Sequence, residues 1–262
     1  MILKLTGSKA VLKRLSGYFC ASILLVLFTV EINAADRDPD SLNILVYGAS
    51  GKVGRHVVDE ALNRGHRVTA VSRDPAKISQ VHDRLSVAQG DVLNPDSVAS
   101  LVSGQDVVIV SVRGIAGNSK DPADAVPRLA AANAVAALRE PGNETGRLIH
   151  VGGAGSLEVA PGVLLADRLP KLFMPKSLEL EIAGQILTLE YLRTVDDVNW
   201  TYVTPPRSFT PGKRTGTYRV GGEQLMEDAN GKSRISRADF AVALLDEAEN
   251  AAHVRQRFSV AY

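Results

Sequence analysis

Cysteine is almost absent from the chain, and this scarcity excludes several chemistries at once. The one cysteine, Cys20, lies inside an apolar stretch near the N-terminus. Removal of that stretch would leave a mature chain without disulfides, thiol catalysis or cysteine-ligated metals. The five histidines are scattered without metal-ligand spacing, so we expect no metal site.

Excess charge of either sign is also scarce. Lysine and arginine together number 30 and aspartate and glutamate 29, which gives a formal net charge of +1. A chain so close to neutrality has no electrostatic footprint for nucleic acid, and we expect no nucleic-acid partner. Its 262 residues, 45% of them hydrophobic, suit one domain with a substantial core.

The first 34 residues differ in composition from the rest. Lysines and Arg14 precede the apolar stretch Tyr18–Val30, and Ala34 offers a small residue for cleavage. This pattern predicts a signal peptide, or an N-terminal anchor, over residues 1–34 and a linker over 35–42. Either outcome makes the protein exported or periplasmic, with membrane contact only if the segment stays uncleaved. A misassigned start site would instead leave the protein in the cytoplasm.

Strand and helix patterns alternate from residue 43 onward, which predicts an α/β domain over 43–262. The strand candidates are Ile44–Tyr47, Arg67–Ser72, Leu85–Gln89, Val107–Val112, Leu148–Val151 and Trp200–Val203. The helix candidates between them are Val53–Arg64, Asp96–Leu101, Pro122–Arg139 and Ser177–Thr194. We therefore expect a doubly wound, mostly parallel sheet of the Rossmann type. A strand at Tyr218–Val220, a helix at Ser236–Glu249 capped by Ser236, and a strand at Arg257–Tyr262 should complete it and build a small C-terminal substrate-side lobe.

Three glycines follow the first strand candidate. Gly48, Gly51 and Gly54 read G-x-x-G-x-x-G between the apolar run NILVY and a helical pattern. Such a turn lets backbone N–H groups approach a diphosphate at a helix N-terminus. The alternative is a tight strand-to-helix turn that holds no ligand. The nucleoside-triphosphate loop is excluded because Val53 follows Lys52 where serine or threonine is required.

The end of the second strand candidate bears on the choice of nicotinamide cofactor. An acid there would bind the ribose 2′-hydroxyl of NAD, but Ser72 and Arg73 come first and Asp74 follows. Arg73 can pair with a 2′-phosphate, so the sequence favours NADP(H) over NAD(H). The alternative for Arg73 is a surface ion pair with Asp74 or another carboxylate. Asp91 could contact the adenine amino group or cap a helix, and spacing does not separate these roles.

Longer motifs give the chain a family resemblance. GASGKVG, SRDPAK, GDVLNPDSV and a strand ending in SVRG resemble the atypical short-chain dehydrogenase/reductases. HVGGAGSLEVAPG, WTYVTPPRSFTPGKRTGTYRVGG and SRISRADFAVALLDEAENAAHVRQRFSVAY resemble the NAD(P)H-flavin reductase branch, related to biliverdin-IXβ reductases. The resemblance covers Asn43 to Tyr262. It implies an NAD(P)H-dependent oxidoreductase whose partner is a small-molecule acceptor, with flavin as a substrate.

The resemblance also implies a set of cofactor-binding positions, grouped by the part of the dinucleotide that they would contact. These are Gly48, Ser50, Gly51, Lys52, Val53 and Gly54 for the diphosphate; Ser72 and Arg73 for the ribose phosphate; Asp91 and Val92 for the adenine; Ser111, Val112, Arg113 and Gly114 for the ribose and nicotinamide; Gly152 and Gly153 for the nicotinamide side; and Thr204 and Pro205 for the end of the pocket. Ser156 is the candidate catalytic residue, with a loop or cap serine as the alternative. Arg113 could equally be an ordinary surface arginine.

The Tyr-x-x-x-Lys pair that donates a proton in the larger family is absent, since Val195 stands four residues after Tyr191. Hydride transfer to a flavin needs no such acid, because the product anion is delocalised and takes its proton from water. The absence therefore fits a flavin reductase, and equally a non-catalytic redox sensor or scaffold. A nucleotide-sugar epimerase is a weaker alternative because those enzymes generally need the pair. The alanine-rich helix candidate Ala123–Leu138 could pair subunits in a homodimer or pack on its own sheet.

Overall fold

The computed structural model describes residues 41–170, 172 and 174–262. The predicted leader and most of the predicted linker lie outside these residues. No helix in the described part of the chain is long and apolar enough to cross a membrane.

The secondary structure alternates as the sequence predicts. In chain order the strands are β1 (Asn43–Tyr47), β2 (Arg67–Ser72), β3 (Leu85–Gln89), β4 (Val107–Val110), β5 (Arg147–Val151), β6 (Glu158–Ala160), β7 (Val163–Leu164), β8 (Asn199–Thr204), β9 (Ser208–Thr210), β10 (Arg219–Gly221), β11 (Arg234–Ser236) and β12 (Gln256–Ala261). The helices are α1 (Gly54–Asn63), α2 (Pro95–Val102), α3 (Val126–Leu138), α4 (Leu165–Arg168), α5 (Lys176–Arg193) and α6 (Arg237–Asn250).

Eight of these strands form one sheet in the order β10-β12-β8-β5-β4-β1-β2-β3. All neighbours are parallel except β10, which is antiparallel to β12. The prediction of a mostly parallel, doubly wound sheet is confirmed. The strand order reverses between β1 and β4, and the carboxyl ends of these two strands leave a crevice there.

Both faces of the sheet are covered, which explains the nearly continuous apolar runs of the central strands. On one face α1 and α6 pack over an apolar cluster that includes Val57, Phe240 and Leu244. On the other face α2, α3 and α5 pack over a second cluster that includes Val98, Ala134 and Leu192.

Two predicted boundaries are wrong. The strand predicted to reach Val112 ends at Val110, and the helix predicted from Pro122 begins at Val126 after a separate 3₁₀ turn, Pro122–Asp124. Pro127 explains the second difference. A proline inside a continuous helix would clash with the preceding turn, whereas it is tolerated within the first helical residues, where it stands in α3.

The alanine-rich helix α3 packs within its own chain. Ala130, Ala131, Ala134 and Ala137 are buried in the cluster beneath the sheet face that α3 covers. This packing accounts for the alanines without a second subunit, and a homodimer stays a prediction.

The C-terminal part forms small elements beside the main sheet. β6 pairs with β7, and β9 pairs with β11, in separate two-stranded sheets. The predicted final helix is α6, and the Ser236 side chain caps it by accepting a hydrogen bond from the Asp239 backbone N–H at 2.9 Å.

Candidate functional site

A cleft of about 310 Å³ lies at the carboxyl ends of β1 to β4, where the strand order reverses. Ten predicted cofactor-binding residues line it: Gly48, Ser50, Gly51, Ser72, Arg73, Asp91, Val92, Ser111, Val112 and Arg113. Seven further residues, not predicted to bind the cofactor, complete the lining: Tyr47, Val71, Asp74, Lys77, Gly90, Leu93 and Val126.

Eight predicted positions are not part of this lining: Lys52, Val53, Gly54, Gly114, Gly152, Gly153, Thr204 and Pro205. The first three stand at the start of α1, and Gly114 follows β4. The last four follow or end β5 and β8, which lie beyond β4 in the sheet. The structure therefore brings the predicted ribose-phosphate and adenine positions into one cleft, together with half of the predicted diphosphate positions and most of those for the ribose and nicotinamide, and leaves the predicted positions after β5 and β8 outside its lining.

Close packing of the chain requires all three glycines in the turn. Gly48 has a φ of +78°, and a Cβ there would lie 2.2 Å from the Ser111 carbonyl oxygen. A Cβ at Gly54 would lie 2.1 Å from the Gly48 carbonyl oxygen, and a Cβ at Gly51 would lie 2.9 Å from the same oxygen, which is also too close. Gly48 and Gly54 thus let β1, β4 and α1 approach one another, with or without a ligand.

The N-terminus of α1 offers open hydrogen-bond donors. Val53 stands at the N-cap and makes no side-chain capping bond. Within the described part of the chain, the backbone N–H groups of Lys52, Val53 and Gly54 have no protein acceptor. Unpaired N–H groups and the helix dipole together favour an anion such as a diphosphate at this end.

Arg73 lines the wall of the cleft, and its guanidinium has no partner among the described residues. Its neighbour Asp74 pairs with Lys77 at 3.4 Å, and no carboxylate among the described residues forms an ion pair with Arg73. Ser72 fixes the turn, because its hydroxyl accepts from the Asp74 backbone N–H at 3.2 Å and donates to the Asp74 carbonyl oxygen at 2.9 Å. The Ser50 hydroxyl lies within hydrogen-bond distance of the Ser72 hydroxyl, at 3.2 Å. The Arg73–Asp74 ion pair, which was the alternative role for Arg73, does not form.

Asp91 does not cap α2, as one of its two predicted roles required. The cap is Asn94, whose side chain accepts from the backbone N–H groups of Asp96 and Ser97. Asp91 instead accepts from the Leu93 backbone N–H at 3.0 Å, which fixes the loop after β3. That loop places Val92 in the cleft wall with 7% of its surface exposed.

Arg113 forms a surface ion pair. Its guanidinium Nε lies 3.0 Å from a carboxylate oxygen of Glu181 on α5, and 73% of the Arg113 side chain is exposed. Of its two predicted roles, this geometry favours the surface arginine in the free protein.

Ser156 is buried, does not line the cleft, and its hydroxyl already makes a hydrogen bond. Its hydroxyl donates to the Gly153 carbonyl oxygen at 2.9 Å, and the residue is 3% exposed. This is the geometry of a loop serine, and the catalytic role of Ser156 gains no support from it. Gly152 has a packing reason as well, because a Cβ there would lie 2.2 Å from the Tyr202 ring.

A buried arginine that was not predicted from the sequence supports the loop after β5. Arg257 on β12 donates to the Ser156 carbonyl oxygen at 3.3 Å and pairs with Glu223. Burial alone would raise the pKa of Glu223, but hydrogen bonds from Arg257 and Arg193 hold it below its usual value. The available signal was a single arginine in the otherwise apolar strand pattern RFSVAY.

Comparison with known proteins places these features in a wider group. The pattern of the NAD(P)H-binding family matches residues 48–251. The uncharacterized protein YwnB of Bacillus subtilis is 35% identical over 224 residues, which are 84% of this chain and 98% of YwnB.

Three solved structures share the fold over nearly the whole described domain. A candidate exported protein of Burkholderia pseudomallei is 34% identical with a TM-score of 0.70, covering 84% of this chain and 100% of that one. A candidate epimerase of Bacteroides thetaiotaomicron is 33% identical with a TM-score of 0.74, covering 85% and 97%. A candidate NADH-flavin reductase of Streptococcus pneumoniae is 29% identical with a TM-score of 0.69, covering 84% and 99%.

Proposed function

The chain belongs to the NAD(P)H-binding family, and from this premise we propose that it is an NADPH-dependent oxidoreductase that passes hydride to a flavin or flavin-like acceptor. The observation that carries the proposal is that the guanidinium of Arg73, in the cleft wall, has no ion-pair partner in the part of the chain that the structure describes. A 2′-phosphate would supply the anion that Arg73 lacks, through a charge-assisted hydrogen bond. The open N–H groups at the start of α1 would hold the diphosphate.

The fit of the cleft to a dinucleotide rests on complementary chemistry at two places. Open donors stand at the helix end, and a free cation stands about 20 residues further along the chain, where a ribose is bound in sheets of this type. When bound, the reduced nicotinamide supplies hydride. The task left to the protein is to bind the two reactants, orient them and keep water from the reacting carbon.

Support for a flavin-like acceptor comes from the missing acid and from one relative. The helix after the β5 region, α5, carries Tyr191, whose ring packs against the Arg128 guanidinium at 3.9 Å instead of lining the cleft. No lysine stands four residues after it. The Streptococcus pneumoniae protein, named as a candidate NADH-flavin reductase, is similar over 84% of this chain.

Two other functions would use the same cleft. A redox sensor would bind the nucleotide without oxidising it. An epimerase is the activity in the name of the Bacteroides thetaiotaomicron protein, but the absent tyrosine and lysine pair speaks against that chemistry here.

The test is oxidation of NADPH and NADH by the purified protein, with and without FMN, followed by the absorbance of the reduced nicotinamide. We expect FMN-dependent oxidation that is faster with NADPH than with NADH at equal concentration. Tight NADPH binding without oxidation by FMN, FAD or riboflavin would refute the reductase activity and leave the redox sensor as the better account.

We also propose that the protein is exported by its N-terminal segment. The predicted leader over residues 1–34 and the similarity to the candidate exported protein of Burkholderia pseudomallei support this. Fractionation of cells that express the full chain should place a shortened protein outside the cytoplasm. Full-length protein confined to the cytoplasmic fraction would contradict export.

A further inference from the structure

Helix α5 carries two polar residues, one turn apart, beside the loops that follow β4 and β5. Glu181 pairs with Arg113, which follows β4, at 3.0 Å. Gln185 packs against the loop after β5, since a Cβ on the partly exposed Gly153 would lie 3.3 Å from the Gln185 Cγ. This part of α5 therefore stands at the carboxyl ends of two neighbouring strands of the sheet, and Gln185 is outside the lining of the cleft.

The side-chain amide of Gln185 is held at one end only. The Tyr202 hydroxyl lies 2.9 Å from its side-chain oxygen and 2.9 Å from its backbone carbonyl oxygen. The amide nitrogen donates to no acceptor within the described part of the chain. Because an amide nitrogen carries two N–H groups, Gln185 has donors to offer.

The free nitrogen is also open to contact, although Gln185 as a whole is only 7% exposed. Among the described residues, seven side-chain polar atoms are both sealed from solvent and without a hydrogen-bond partner, and the Gln185 nitrogen is not one of them. Since this nitrogen has no partner either, it keeps accessible surface. Gln185 thus combines a fixed amide oxygen with an accessible, unused donor.

The sheet order indicates which part of a dinucleotide would reach this end of α5. In the order β2-β1-β4-β5, Arg73 follows β2 and the glycine turn follows β1. A dinucleotide with its ribose phosphate at Arg73 and its diphosphate at the turn would extend its nicotinamide half over β4 and β5. The acceptor has to lie against the nicotinamide for hydride transfer, which would bring it beside Gln185.

We infer that the amide nitrogen of Gln185 donates a hydrogen bond to a carbonyl oxygen of the acceptor. The neighbouring charges of Arg113 and Glu181 neutralise each other, so a neutral donor there suits an uncharged ring carbonyl better than a carboxylate or a phosphate. The inference rests on the proposed function and names the acceptor class: a planar ring that carries carbonyl groups, as flavins do. It adds a residue for the acceptor to those proposed for the nucleotide.

The test compares Gln185→Met with Tyr202→Phe in the full chain, using FMN as the probe. Both variants lose the contact between the Tyr202 hydroxyl and the Gln185 side chain, but only Gln185→Met loses the amide nitrogen. The measurement is the dissociation constant of FMN from the protein saturated with NADP⁺, followed by FMN fluorescence. We expect FMN binding about 5- to 10-fold weaker for Gln185→Met, the size of one hydrogen bond, and within about twofold of the wild type for Tyr202→Phe. The affinity for NADP⁺ should be unchanged in both.

A second variant, Gln185→Glu, keeps the test decisive where Gln185→Met fails to fold. Glutamate keeps an oxygen for the Tyr202 hydroxyl and replaces only the amide nitrogen, so we expect weaker FMN binding with this variant as well. Urea unfolding of all three variants reports whether each is folded under the conditions of the binding measurement.

The outcomes separate this inference from the function on which it rests. A wild-type protein that neither binds FMN nor oxidises NADPH with it would overturn both. Wild-type binding of FMN that stays within about twofold in Gln185→Met and Gln185→Glu would overturn the role of Gln185 alone. Equal weakening in Gln185→Met and Tyr202→Phe would also overturn that role, because the lost contact between the two side chains would then account for the effect.

Discussion

At the residue scale, His150 shows how burial decides the state of a single side chain. It is 0% exposed, its Nε2–H donates to the Pro127 carbonyl oxygen at 3.1 Å, and its Nδ1 has no partner in the described part of the chain. Its ring stacks on the Tyr202 ring, with 5.6 Å between the ring centroids. Desolvation lowers the pKa of His150 to about 4, so the imidazole is neutral at neutral pH.

This histidine predicts a specific loss of stability in acid. Between the usual pKa of 6.5 and the folded-state pKa of about 4, the unfolded chain binds a proton that the folded protein does not. The free energy of unfolding should therefore decrease as pH falls through this window, by up to about 3 kcal/mol. Urea unfolding at several pH values measures this decrease in the free energy of unfolding. His150→Gln, whose amide can still donate to Pro127, should show a shallower decrease, and an identical pH dependence would rule out His150 as its source.

Single residues of the same type cannot be told apart without the fold. Arg73 and Arg113 each follow a strand candidate, and the sequence offers each an anion or a surface role. Across residues 41–170, 172 and 174–262, Arg73 has no ion-pair partner, whereas Arg113 pairs with Glu181, 68 residues away. That pairing depends on where α5 lies relative to the loop after β4, which no local pattern contains.

At the element scale, the turn from β1 into α1 is the unit that would position the proposed diphosphate site. Its glycine spacing was readable because close approach leaves no room for a Cβ. The short strands β6, β7, β9 and β11 were not predicted, since two or three residues carry little periodicity, although the equally short β10 was predicted one residue early. The early start predicted for α3 was avoidable, because Pro127 was visible in the sequence.

A methyl group at Gly54 tests this unit. Its Cβ would lie 2.1 Å from the Gly48 carbonyl oxygen and 2.9 Å from the Ala49 Cα, and neither backbone atom can move without opening the turn. We expect Gly54→Ala to lower the free energy of unfolding by about 3 kcal/mol and to abolish nucleotide binding. Gly222→Ala is the matched control, because nothing lies within 4 Å of its Cβ position. Equal urea midpoints for the two variants would show that the turn relaxes freely.

At the scale of the whole molecule, the parallel sheet explains why distant motifs meet. The glycine turn, Arg73, Asp91 and Ser111 each follow a different strand, and parallel strands bring their carboxyl ends to one edge. This much followed from the sequence. The acceptor side did not, because the loop after β5 takes its shape from Gln185, Tyr202 and Arg257, which come from three separate parts of the chain.

The central claim is that this cleft binds NADPH through the free guanidinium of Arg73. The most direct measurement is the dissociation constant of NADPH and of NADH for the wild-type protein and for Arg73→Ala. The account predicts that the wild type prefers NADPH and that Arg73→Ala weakens NADPH binding about 10- to 100-fold, the size of a charged hydrogen bond. NADH binding should be unchanged. Equal weakening of both nucleotides, or no weakening of either, would contradict the assignment of Arg73 to the 2′-phosphate.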